Sequence, residues 1–152
     1  MKTTTVCYIE QGAKYLMIHR VKKKEDPNKD KWIGIGGKLE AGESPFDCIR
    51  REVLEETGLT LDKVNYRCII TFVSNEFGTE YMHLFTSTDF HGQMNEACDE
   101  GVLEWIEKDK LSKIPMWEGD KIFLNLLDTD IKFFSLKLVY EGNTLVSHTL
   151  EY

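Results

Sequence analysis

GKLEAGESPFDCIRREVLEETGL, residues 37–59, marks both ends of a helix and gathers charge on one side of it. Ser44 stands as an N-cap, Pro45 at the first helical position and Asp47 three residues after the cap, while Gly58 supplies the C-terminal stop. Between those ends Phe46, Ile49 and Val53 recur at helical spacing and form the stripe that packs. Glu52, Glu55 and Glu56, at i, i+3 and i+4, leave from a different face. Three carboxylates this close repel one another and raise one another's pKa unless something positive offsets them. The glutamates alone leave two readings open. One is a solvated acidic face supported by Arg50 and Arg51; the other is a site for a hard divalent cation with oxygen ligands.

The surrounding spacing decides between them. Gly37, Glu43, Arg51, Glu52, Val53, Glu55, Glu56, Gly58 and Leu59 fill nine fixed positions of the pattern G-x5-E-x7-R-E-U-x-E-E-x-G-U, where U is bulky and apolar. On these residues the chain resembles the Nudix hydrolases. The resemblance implies an α/β fold, an α/β/α sandwich with a mixed sheet and a loop-helix-loop catalytic motif. It implies Mg²⁺, with Mn²⁺ as a substitute, held by Glu52, Glu55, Glu56 and the backbone carbonyl of Gly36. Arg51 and Glu43 are similar to the family's supporting pair. The residue that takes a proton from water differs among members, so Glu52, Glu56 or a carboxylate outside the motif fits, and Glu100 is the outside candidate.

Beyond the motif the chain is similar to the MutT-type and MutX-type 8-oxo-dGTP diphosphatases and to the oxidised-purine triphosphatases. The matching segments are residues 32–40, residues 116–120, and Phe133-Phe134 followed by residues 139–142. This resemblance implies that Trp117 stacks on a purine, that Asp120 reads its polar edge and that Phe72 forms another wall. Lys23 and Lys38 complete the substrate-binding candidates, Lys23 as a cation that meets the triphosphate away from the glutamates. The oxidised-purine pattern has Asn where this chain has Ile33, and a second acid where it has Gly119. The implied reaction cleaves a nucleoside triphosphate to a monophosphate and pyrophosphate. Alternatives are another nucleoside diphosphate derivative, an RNA 5′ end, or a Nudix module that binds a nucleotide without cutting it; three intact glutamates favour the enzyme.

Elsewhere the pattern predicts strands over 3–10 and 15–19, a basic turn-rich loop over 20–31 at the mouth of the site, and a short strand at Trp32 entering a glycine-rich turn. Further strands are predicted over 66–73, 81–87 and 102–106, a second helix over 120–127, and a closing hairpin of 133–140 with 145–152. The length of 152 residues fits one domain, residues 1–152, able to bury a core without disulfides or structural metals. The four cysteines lack a C-x-x-C pair and are expected to be reduced.

Nineteen Lys plus Arg against 26 Asp plus Glu give a net charge of −7, which disfavours polymeric nucleic acid and anionic membranes as partners. It also demands a cation between an acidic site and a phosphate substrate. The expected partner is a small-molecule nucleotide. With no signal-peptide pattern at the N-terminus, the expected location is cytoplasmic, as a monomer or homodimer.

Overall fold

Both faces of the central strands are buried, so the sequence runs apolar there instead of alternating with polar residues. The computed structural model describes residues 1–152. In β1 (Lys2–Gln11) Val6 and Tyr8 enter one core while Cys7 and Ile9 enter another. In β2 (Lys14–His19) Tyr15 and Met17 join the first core, Leu16 and Ile18 the second. Alternation of side chains along a strand lets one apolar run feed two cores.

Each core is closed by a helix. In α1 (Pro45–Thr57) Ser44 Oγ accepts from the Asp47 N–H at 3.0 Å and Asp47 Oδ2 accepts from the Ser44 N–H at 3.0 Å, a complete capping box. Gly58 ends the helix at φ 81°, a left-handed conformation that suits glycine. Ile49 and Val53 of α1 are fully buried in the second core, at roughly 1.5–3 kcal/mol each relative to exposure. On the opposite face α2 (Glu118–Leu127) gives Phe123, Leu124 and Leu127 to the first core. A helix on each side of one sheet makes the expected α/β/α sandwich.

The other strands are β3 (Trp32–Ile33), β4 (Ile35–Lys38), β5 (Leu59–Ser74), β6 (Gly78–Gly92), β7 (Ala97–Cys98), β8 (Gly101–Glu107), β9 (Phe134–Glu141) and β10 (Thr144–Glu151). They join in the order β10-β9-β5-β6-β1-β2-β8-β7, with β3 on β2 and β4 on β1. β1 with β6 and β5 with β9 are parallel and the remaining pairs antiparallel, so the sheet is mixed. No helix is long and apolar enough to cross a membrane. All four cysteines are free.

Two expectations are corrected. The strand predicted from Tyr66 starts at Leu59, because register shifts at Leu61/Lys63, Lys63/Asn65 and Tyr66/Cys68 break the alternation that marks a strand. The glycine-rich turn after Trp32 is a strand instead. Gly36 pairs with Val6 and Gly37 with Thr5, and a Cβ on Gly36 would come within 1.9 Å of the Thr5 carbonyl oxygen. Glycine is required there by the close approach of a neighbouring backbone.

Candidate active site

One guanidinium organises the acidic end of α1. Arg51 Nε donates to Glu43 Oε2 at 2.7 Å and Nη2 to Glu43 Oε1 at 3.0 Å, a bidentate pair. Its Nη1 donates to Glu52 Oε1 at 2.9 Å and to Glu55 Oε2 at 3.2 Å, and Nη2 also reaches the Lys38 carbonyl at 3.2 Å. Arg51 thus ties the loop after β4 to the helix. Its hydrogen bonds hold the Glu43 carboxyl down to about 2. Glu52 lies directly beneath Gly37, where a Cβ would meet its Cδ and Oε1 at 2.5 Å. The missing side chain at Gly37 is the space the carboxylate occupies.

Glu56 is in a different state. Its Oε2 is buried without a hydrogen-bond partner. Burial, followed by the negative charges of Glu100 and Glu52, pushes its carboxyl well above the usual range, while a backbone hydrogen bond with Gly36 acts the other way. Glu100, from the turn between β7 and β8, faces Glu56 and is itself held by Arg20 Nη1 at 3.3 Å. Glu55 is the most exposed of the three, its side chain 58% accessible and hydrogen-bonded to Arg51. Arg51 engages Glu52 and Glu55, while Glu56 faces Glu100.

Beside this acidic end opens a cleft of about 320 Å³. Gly36 and Gly37 line one part of it, and Phe72, Trp117, Asp120 and Tyr140 another. Trp117 Nε1 donates to Asn28 Oδ1 at 2.7 Å, its ring meets Tyr140 edge-on at 5.4 Å, and Lys31 Nζ lies 4.4 Å from its centroid. Asp120 is buried, and desolvation with the charge of Glu80 pushes its carboxyl up to about 8 against the pull of Lys31. Glu80 also lines the cleft and accepts from Thr4 Oγ1 at 2.6 Å. Lys23 and Lys38 are exposed and lie outside the lining.

The NUDIX domain family matches residues 1–127, most of the 152. The chain belongs to the Nudix family. This Nudix hydrolase is 33% identical to an oxidized purine nucleoside triphosphate hydrolase of Danio rerio over 133 residues, covering 85% of this chain and 83% of that one. It is 30% identical to the Mus musculus protein of the same name over 132 residues, 84% and 82% of the two chains. Among solved structures it is similar to a mutator MutT protein from Bacillus halodurans, with a TM-score of 0.87 and 28% identity over 99% of this chain and 98% of that one.

Sequence reasoning missed four residues of the Nudix hydrolase's cleft and acidic end. Tyr140 hides in the core periodicity of β9, yet its hydroxyl accepts from the Gly119 N–H at 2.8 Å. A Cβ on Gly119 would meet Leu138 Cδ1 at 2.5 Å and that hydroxyl at 2.8 Å, so a second acid here would require both side chains to move. Glu80, from β6, is the other carboxyl of the cleft. Arg20 and Asn28 sit in a stretch whose composition signals only a loop.

The state of Asp120 has a measurable effect on the Nudix hydrolase. The native carboxyl keeps its proton up to about 8, whereas the unfolded chain loses it near 3.8. Between those values the native state binds the extra proton, so this group's contribution to stability declines as pH rises from the lower value to the higher. Asp120→Asn is expected to flatten the dependence of Tm on pH over that window and to melt above the wild type at pH 8. Identical slopes in thermal melts of the two proteins would count against the buried neutral carboxyl.

Proposed function

We propose that this Nudix hydrolase cleaves an oxidised purine nucleoside triphosphate, 8-oxo-dGTP above all, to the monophosphate and pyrophosphate in a Mg²⁺-dependent reaction. The observation that carries the reading is the continuity of the cleft: aromatic walls and a buried carboxyl in one part, the Gly36-Gly37 strand over Glu52 in another. A base and a phosphate chain fit those two parts in that order. Pockets of this size suit one small molecule, not a polymer. The names of the Danio and Mus relatives support the substrate class. The functional unit is residues 1–152, since β9 and β10, beyond the family match, continue the same sheet and β9 supplies Tyr140 to the cleft.

The residues fit a divalent cation, because Glu56 carries a buried, unpartnered oxygen beside the charges of Glu100 and Glu52, an arrangement that such an ion relieves. Glu52, Glu55, Glu56 and the Gly36 carbonyl would hold Mg²⁺ or Mn²⁺, which neutralises phosphate oxygens and acidifies water. Glu43 and Arg51 keep the loop and helix in register around that set. Glu56 or Glu100 accepts a proton as water adds to phosphorus and the α–β bridge breaks. Trp117 and Phe72 hold the base, and Asp120 reads its edge. Lys23 and Lys38 lie outside the cleft as it stands, so steering the triphosphate is the role that fits them.

A hydrolysis screen over 8-oxo-dGTP, dGTP, 2-oxo-dATP and ADP-ribose with Mg²⁺, resolving pyrophosphate from phosphate, tests the reading. The expected result is pyrophosphate release with the highest kcat/KM on 8-oxo-dGTP. Asp120→Ala is expected to lower that kcat/KM by roughly tenfold to a hundredfold, the effect of about 1–3 kcal/mol for an unpaired polar edge. Preferred turnover of ADP-ribose, or unchanged ratios among the purines in the variant, would overturn it.

A further inference from the structure

The indole N–H of Trp117 can only donate, and its partner at 2.7 Å is Asn28 Oδ1. That pairing fixes which way the Asn28 amide faces: oxygen to the indole, nitrogen away from it. The Nδ2 group donates to no acceptor in the protein. Nor is it sealed in, because the side-chain polar atoms buried without a partner are Tyr15 Oη and Glu56 Oε2. Asn28 is half-buried and lines the cleft together with Trp117 and Asp120.

The side-chain amide is held at its oxygen by the indole, and the Asn28 backbone that carries it is held on both sides. The Asn28 N–H donates to Asp26 Oδ1 at 3.0 Å, and the Asn28 carbonyl accepts from the Lys31 N–H at 2.8 Å. Asp26 is locked in turn by Arg20 Nε at 2.7 Å, with only 3% of its side chain accessible. The order that a ligand would otherwise have to impose is already present. Two N–H donors in fixed position select for an acceptor. Guanine-type bases offer an exocyclic carbonyl oxygen at C6, where adenine carries an amine that only donates.

We propose that Asn28 reads the base, its Nδ2 donating to an exocyclic carbonyl of a purine held against Trp117, so that the cleft prefers guanine-type over adenine-type nucleotides. The inference rests on the nucleotide reading of the cleft. Asp120 presents a carboxyl and Trp117 a face; Asn28 adds an amide N–H₂ whose oxygen is fixed by the indole.

Asn28→Asp separates reading from propping, since it keeps an oxygen for the indole but replaces the donor by an acceptor. Asn28→Leu removes both. The measurements are kcat/KM for dGTP and dATP, Kd for dGMP and dAMP without metal, and the ¹⁵N-resolved indole resonance of Trp117. Asn28→Asp is expected to lower the guanine-to-adenine ratio tenfold or more in both kcat/KM and affinity, with the indole resonance close to its wild-type position. Asn28→Leu is expected to shift that resonance and to weaken all purines. An unchanged ratio in Asn28→Asp, or an equal loss on guanine and adenine in both variants, would overturn the inference and leave Asn28 as a prop for Trp117. Wild-type protein that neither binds dGMP nor hydrolyses any purine triphosphate would instead overturn the nucleotide reading beneath it.

Discussion

Glu56→Gln is expected to lower kcat by about a hundredfold or more at saturating Mg²⁺ while the protein stays folded, on the scale of the several kcal/mol that charge at a metal site contributes. Glu56 is the carboxylate with a buried oxygen lacking any partner, and it meets Glu100 and Glu52 at close quarters. Gln keeps the shape and removes the charge. Without metal the variant is expected to melt no lower than the wild type, because the substitution removes a buried ionisable carboxyl and its repulsion by Glu100 and Glu52. Glu55→Gln is expected to cost less, since Glu55 is 58% accessible and its side-chain hydrogen bond is to Arg51. Wild-type kcat in Glu56→Gln, with both proteins checked by circular dichroism, would remove Glu56 from the chemistry.

Arg51→Leu carries the second large effect, and it acts on stability and activity together. The lost guanidinium leaves Glu43 and Glu52 side by side, each with 15% of its side chain accessible, with no cation between them. The tie from the helix to the Lys38 carbonyl goes as well. Thermal melts at pH 7 should show a clear drop in Tm, and kcat is expected to fall by on the order of a hundredfold as the loop over Glu52 loses its register. The drop should shrink in acid. Glu43 contributes stability above its unfolded pKa through this bond and loses it as pH falls toward its native value of about 2. Arg51→Lys should not restore activity, because an ammonium cannot grip Glu43 with two parallel bonds and reach Glu52 at once. Full rescue by lysine would mean that charge alone matters there.

The helix was legible because its signals are local: a capping acid at Asp47, a proline at Pro45 and a glycine at Gly58 each act within a few residues. Residues 6–9 and 15–18 were legible as strands, but their feeding a core on each face was implied only by the resemblance to a sandwich fold. What could not be read is contact across sequence. Asn28 reaches Trp117 over a separation of 89 residues and Arg20 reaches Glu100 over 80, and no pattern in the basic loop announces either. The bulges of β5 hid half a strand, because each shifts the face on which the next residue falls. Grouping Trp117 with Asp120 depended on resemblance; the reason for glycine between them became visible only with Leu138 and Tyr140 beside it.

The parallel pairing of β1 with β6, from Lys2 opposite Glu80 to Ile9 opposite Ser87, also determines when the cleft can exist. Thr4 and Val6 of its lining come from one of these strands, Glu80 and Met82 from the other. During synthesis the first strand must wait for the sixth, and closing so long a loop makes such topologies fold more slowly than helical bundles of the same size. The residues of the acidic helix are therefore made well before the floor on which a base is held can form. Cutting away the first ten residues would remove the central seam of the sheet, and with it both cores, so loss of nucleotide binding in that truncation should coincide with loss of the cooperative melt.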